Sequence, residues 1–141
     1  MKLRSGLVVG NKIQYDITPC VICMDVKYLP VRLTPCGHTF CDLCIRLLVS
    51  KSINITLHCP LCRCEIEDCE HDTYLARKVK KSYPCEYRKN EKTSQRQNLK
   101  NYPLPTKSNL PIIRKTIINN SILRILTKNK IFLLCEIQSC F

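Results

Sequence analysis

A chain of 141 residues is about one domain's length, and its formal charge of +12 marks it as basic. Its 12 cysteines are far above ordinary usage, which excludes a globule held by an apolar core alone and leaves disulfides or metal as the framework. The apolar run at 7–10 is too short for a signal-peptide core. The expected compartment is therefore intracellular, cytoplasmic or nuclear, where reduced, paired cysteines serve as thiolate ligands.

Composition divides the chain into a lead-in at 1–19, a cysteine cluster at 20–64, a flank at 65–89 that turns from acidic to basic, a linker at 90–111 and a basic amphipathic tail at 112–141. Within the cluster, residues 30–33 alternate well enough for a short strand, and Thr39 and Phe40 continue a hairpin after a turn at Gly37. Phe40 is expected in the core. The run from Asp42 to about Ser50 has the apolar spacing of a short helix, and Pro60 opens a tight turn in CPLC. In the flank, EIEDCEHD precedes TYLARKVKK, whose Leu75 and Val79 suit a short amphipathic helix packed on the cluster or on a second copy in a homodimer. RKVKK reads as a solvated face, and Tyr83, Tyr87 and Tyr102 are too sparse to stack bases, so nucleic acid is not the expected partner. The tail could form one amphipathic helix, although a poorly ordered tail is the leading expectation. Arg114, Lys115, Arg124, Lys128 and Lys130 break every window long enough for a transmembrane segment.

The metal-type residues form four pairs: Cys20 with Cys23, Cys36 with His38, Cys41 with Cys44, and Cys59 with Cys62. Two intervening residues let a turn aim both sulfurs at one ion, so each pair is a chelating unit, and four pairs make two closed tetrahedral zinc sites. Seven thiolates remove 7 charges and two Zn²⁺ restore 4, so the formal +12 becomes +9 and the chain stays basic. Within TPCGHTFCDLC only Thr39 and Phe40 separate the second and third pairs, too little backbone for both to converge on one ion. Sequential sharing of the pairs and interleaved sharing both remain open on spacing alone.

CVIC, PCGHTFCDLCI and CPLCR, in this order and spacing, resemble a RING finger of the seven-cysteine, one-histidine kind, with a flavour of the tripartite-motif and Cbl-type RINGs. The resemblance covers 20–64 and implies a small zinc-stabilised α+β fold, with a short hairpin, one short helix and interleaved, cross-brace sites, followed by a basic tail that is partly disordered or helical. Cys20, Cys23, Cys41 and Cys44 would then hold one Zn²⁺, and Cys36, His38, Cys59 and Cys62 the other. It further implies a RING-type ubiquitin ligase, an E3 ubiquitin transferase that recruits a ubiquitin-charged conjugating enzyme and orients its thioester toward a lysine on a protein substrate. By the same resemblance Ile22, Leu48, Pro60 and Leu61 form the apolar contact surface for that enzyme, and Arg63 takes the linchpin position. No residue acts as a covalent catalyst. The other reading is a non-catalytic, zinc-stabilised interaction or dimerisation module, with its basic tail on nucleic acid.

Cys64, Cys69, His71 and Cys85 could supply a third Cys3His site, but their spacing matches no common module, and incidental thiols are expected. His58 is expected at the surface, since His38 already completes the eight ligands.

Overall fold

The computed structural model describes residues 8–9, 12–13, 17–97 and 102–138; the rest of the expected lead-in, part of the expected linker and residues 139–141 of the tail lie outside the described residues. Strands β1 (Val8–Val9) and β2 (Lys12–Ile13) form a small antiparallel pair. The central sheet has the order β4-β3-β5, with β3 at Pro30–Thr34, β4 at Thr39–Cys41 and β5 at Asp68–His71, antiparallel throughout. Helix α1 (Asp42–Lys51) follows β4 directly, and α2 (Thr73–Ser82), α3 (Pro84–Gln95) and α4 (Leu110–Gln138) follow β5.

The period-two pattern of β3 sends Val31 and Leu33 into the core while Arg32, between them, turns outward and pairs with Asp72. On α1, Ile45 and Val49 are one turn apart and join Phe40, which is fully buried, so one apolar stripe of the helix covers the hairpin. Asp72 caps α2 by accepting from the Leu75 amide at 2.9 Å. Leu75 and Val79 then pack with Tyr87 of α3 against Ile17, Val26 and Tyr28, and the Tyr28 and Tyr87 rings meet edge-on at 4.9 Å. These helices thus fold back on the segment around the first cysteine pair.

Two segments are more ordered than their composition indicates. EIEDCEHD contributes β5, because its carboxylates find donors: Asp68 Oδ1 accepts from the Lys107 amide at 2.8 Å, and Glu65 pairs with Arg114 at 2.8 Å. The stretch read as linker is helical as far as Gln95 and then buries Leu104, Pro105 and Leu110. Arg46 Nη1 donates to the Tyr102 carbonyl at 2.8 Å, which fastens this stretch to α1. Leu110, Ile113 and Ile117 of α4 complete the core together with Leu57 and Ile66. The described part of the tail is therefore helical. Among the described residues no helix is long and apolar enough to cross a membrane.

Candidate metal centre

Two loops carry the same backbone device. Around the first cysteine pair, the Cys20 amide donates to Asp25 O at 2.8 Å and the Met24 amide to Cys20 O at 2.7 Å. Around the last pair, the Cys59 amide donates to Cys64 O at 2.8 Å and the Arg63 amide to Cys59 O at 2.8 Å. The residue after each pair, Met24 at φ 59° and Arg63 at φ 60°, takes the left-handed conformation that closes the knuckle. Each turn thus leaves the two sulfurs of its pair facing one point.

The other two pairs are set by the hairpin and helix. Gly37, at φ 74°, makes the reversal between Cys36 and His38, with its amide on Leu33 O at 2.7 Å and His38 O accepting from the Leu33 amide at 2.9 Å. Cys41 ends β4 and precedes α1, and Cys44 lies in the first turn of that helix, so they share a face.

These elements bring together Cys20, Cys23, Cys41 and Cys44 as one group and Cys36, His38, Cys59 and Cys62 as another, with the ligand atoms in each group within 4.8 Å of one another. The pairs therefore interleave: first with third, second with fourth. Phe40 sits at the crossing.

The donor sets fit zinc. Sulfurs about 2.3 Å from a tetrahedral ion lie about 3.8 Å from one another, and a sulfur–nitrogen edge is slightly shorter. Cys23 Sγ and Cys41 Sγ are 3.8 Å apart, and Cys59 Sγ is 3.6 Å from His38 Nδ1. A disulfide would need about 2.05 Å. Electrostatics agrees with geometry: hydrogen bonds from the Cys41 and Cys44 thiols hold the Cys20 thiolate well below its ordinary range, and the same bonds push Cys41 and Cys44 upward. In the second group burial raises Cys36 to about 11. Crowded sulfurs cannot all ionise unless a dication neutralises them. With four protein ligands per ion, each zinc is closed to water and substrate, so it supplies structure.

Several partners of the site carry no motif in the sequence. Lys27 is buried, and its ammonium donates to Thr18 Oγ1 at 3.1 Å and Thr39 Oγ1 at 2.9 Å, two residues before Cys20 and Cys41 respectively. It ties together the segments that supply the first and third pairs. Asp42, buried beside Cys41, accepts from Arg46 Nε at 2.7 Å and from His71 Nε2 at 2.9 Å. The one mark of that cluster in the sequence is the i,i+4 spacing of Asp42 and Arg46.

His71 is thus engaged by a carboxylate, Cys69 is buried with its thiol raised to about 12 by that burial, and Cys85 is exposed. Among the described residues, the metal-type groups are the two above, and Cys64, Cys69, His71 and Cys85 are not assembled into a third.

The residues expected to meet a partner lie at the surface. Ile22 and Leu48 are each 38% exposed and Leu61 50%, and Pro60 and Arg63 are also exposed. Ile22 sits between the ligands of one knuckle and Leu61 between those of the other, while Leu48 lies one turn after Cys44 on α1. His58, exposed as expected, lines an open groove with Cys59, Pro60 and Arg63.

Residues 20–62 match the family model described as "Zinc finger, C3HC4 type (RING finger)". The E3 ubiquitin-protein ligase RNF180 of Pongo abelii is 36% identical over 87 residues, a match longer than that segment, covering 62% of this chain and 14% of the relative. The postreplication repair E3 ubiquitin-protein ligase RAD18 of Saccharomyces cerevisiae is 45% identical over 65 residues, 45% of this chain and 12% of the relative. The chain thus spans only a small part of the length of these relatives. Among solved structures, the RING finger-like domain of Retinoblastoma Binding Protein-6 is 27% identical with a TM-score of 0.40, over 52% of this chain and 80% of that one.

Proposed function

We propose that this chain, whose residues 20–62 belong to the RING finger family, is the recruiting module of a RING-type ubiquitin ligase that acts inside the cell, in the cytoplasm or nucleus. It takes a ubiquitin-conjugating enzyme charged with ubiquitin and orients the thioester for attack by a substrate lysine. One observation carries the reading: the turns that hold the two zincs leave Ile22, Pro60, Leu61 and Arg63 exposed at their tips, with Leu48 exposed on the adjoining helix. Aliphatic side chains on a backbone that metal makes rigid lose little conformational entropy on docking, which suits a modest, reversible interface.

Arg63 has the chemistry for the second part of the task. Its guanidinium is a fixed fork of donors that can hydrogen-bond the enzyme and ubiquitin together, restricting a flexible conjugate to a reactive orientation. The substrate amine attacks the thioester carbon and the enzyme's thiolate leaves, so the transfer needs no covalent intermediate on this chain. The zincs take no part in that step.

The test is autoubiquitination with a panel of conjugating enzymes. Wild type should be active with at least one enzyme. Ile22→Ala should weaken its recruitment, and Arg63→Ala should slow discharge of the thioester roughly tenfold or more while recruitment stays close to wild type. Inactivity of the zinc-loaded wild type with every enzyme would favour a non-catalytic interaction module instead.

A further inference from the structure

Among the described side chains, helix α4 has two apolar faces, one of them covered and the other exposed. Leu110, Ile113 and Ile117, spaced three and four apart, are buried in the core. Beyond Ile117 the same row continues as Ser121, Arg124 and Lys128, so the side that was apolar against the RING becomes polar and basic. Another face carries Ile112, Ile118, Ile122, Leu123, Ile125 and Leu126, all between 40% and 65% exposed. Isolated exposed apolar residues are ordinary, but six on one helix form a patch that calls for an occupant.

Charge selects the occupant. No acidic residue occurs between Glu91 and Glu136, while basic residues recur throughout that stretch, and the chain as a whole is at +12. Lys115 lies within the apolar face itself, three residues after Ile112 and three before Ile118. A second copy of α4 would set lysine and arginine against lysine and arginine, with Glu136 near the end of the helix as its single carboxylate and none along the Ile112–Leu126 stretch to answer them. A nucleic acid would answer the charge but has nothing to cover an aliphatic face. A protein partner would need an aliphatic groove matched in shape to this face and a carboxylate placed against Lys115. An anionic bilayer satisfies both demands: acyl chains take isoleucine and leucine without any requirement of shape, and lysine stems snorkel to the headgroup phosphates.

We propose that α4 is an in-plane anchor that lays its Ile112–Leu126 face on an anionic phospholipid surface, while its other face holds the RING against it. The proposal stands independently of the ligase reading, because its test contains no conjugating enzyme. The zinc-loaded full chain is sedimented with vesicles of phosphatidylcholine containing about 30% phosphatidylserine, and with vesicles of phosphatidylcholine alone. Binding to the first should exceed binding to the second roughly tenfold and weaken with salt. The double variant Ile122→Asp/Ile125→Asp changes only exposed side chains, and it should bind the anionic vesicles at least roughly tenfold less tightly. Lys115→Glu, a second surface variant, should lose much of the preference for phosphatidylserine. Zinc content and circular dichroism establish that each variant folds. Three results would overturn the proposal: sedimentation no greater with phosphatidylserine, a double variant that binds as the wild type does, or a wild-type solution dimer that ignores vesicles and becomes monomeric in the double variant.

Discussion

The two metal sites are built from similar parts and are protected differently. At the first, Cys20, Cys41 and Cys44 are buried and Cys23 is exposed, Lys27 bridges the flanking segments, and α2 and α3 pack on Ile17, Val26 and Tyr28 beside it. At the second only Cys59 is buried; Cys36 and His38 are half-buried and Cys62 is exposed. Leu57 and Ile66, on either side of the last knuckle, lie in the main core with Leu104, Leu110, Ile113 and Ile117, a core that Cys20, Cys41 and Cys44 of the first site also join. The first site is therefore closed over by α2 and α3, while Leu57 and Ile66 tie the last knuckle to the part of the core that Leu104, Leu110, Ile113 and Ile117 supply. The difference separates a folding anchor from a more open knuckle that bears Pro60, Leu61 and Arg63.

The largest expected effect tests whether the sites are separable at all. Cys41→Ser removes a ligand of the first site next to the Thr39 and Phe40 crossing, and metal binding at a structural zinc site is worth about 10 kcal/mol or more of folding free energy. Both sites should fail together, with helical circular dichroism lost and bound zinc falling below one ion per chain by mass spectrometry. Retention of one full equivalent in a folded chain would mean that the sites stand independently.

A smaller change sharpens the asymmetry. Ile113→Ala opens space in the core that holds Leu57 and Ile66, on either side of the second knuckle, and should cost about 2 kcal/mol. Under a chelator, zinc release should become faster for the second site and stay nearly constant for the first, read as two phases with a chromogenic zinc indicator. Equal acceleration of both phases would remove the distinction. Smallest of all is Arg114→Ala, which breaks an ion pair exposed on both sides and should shift stability by no more than about 1 kcal/mol. A larger drop in thermal unfolding temperature would show that α4 holds the last knuckle through that pair more than through its apolar residues.

How much of this was legible in the sequence depended on the kind of physics involved. The ligand pairs announce themselves because a metal fixes residue type and spacing locally, and α1 and α2 follow from apolar residues one turn apart. Resemblance supplied the interleaved sharing that spacing left open. β5 was hidden because DCEH has no strand alternation of its own; its place comes from pairing with β3 and from donors such as the Lys107 amide, far away in sequence. The burial of Leu104 and Leu110 was hidden for a related reason: proline and polar neighbours give them no periodicity, and only the finished core shows the space that they fill. Lys27 reads as one surface lysine among many until Thr18 and Thr39 are brought to it.

The left-handed backbone at Met24 and Arg63 bears on how the module can change over time. Such a conformation costs a residue with a side chain about 1 kcal/mol relative to glycine, so selection for stability alone would install glycine at both turns. At position 63 that drift would discard the very guanidinium that the proposed reaction needs. The turn is thus a place where foldability and the proposed activity draw the sequence in opposite directions, and Arg63→Gly is the substitution that sets one against the other.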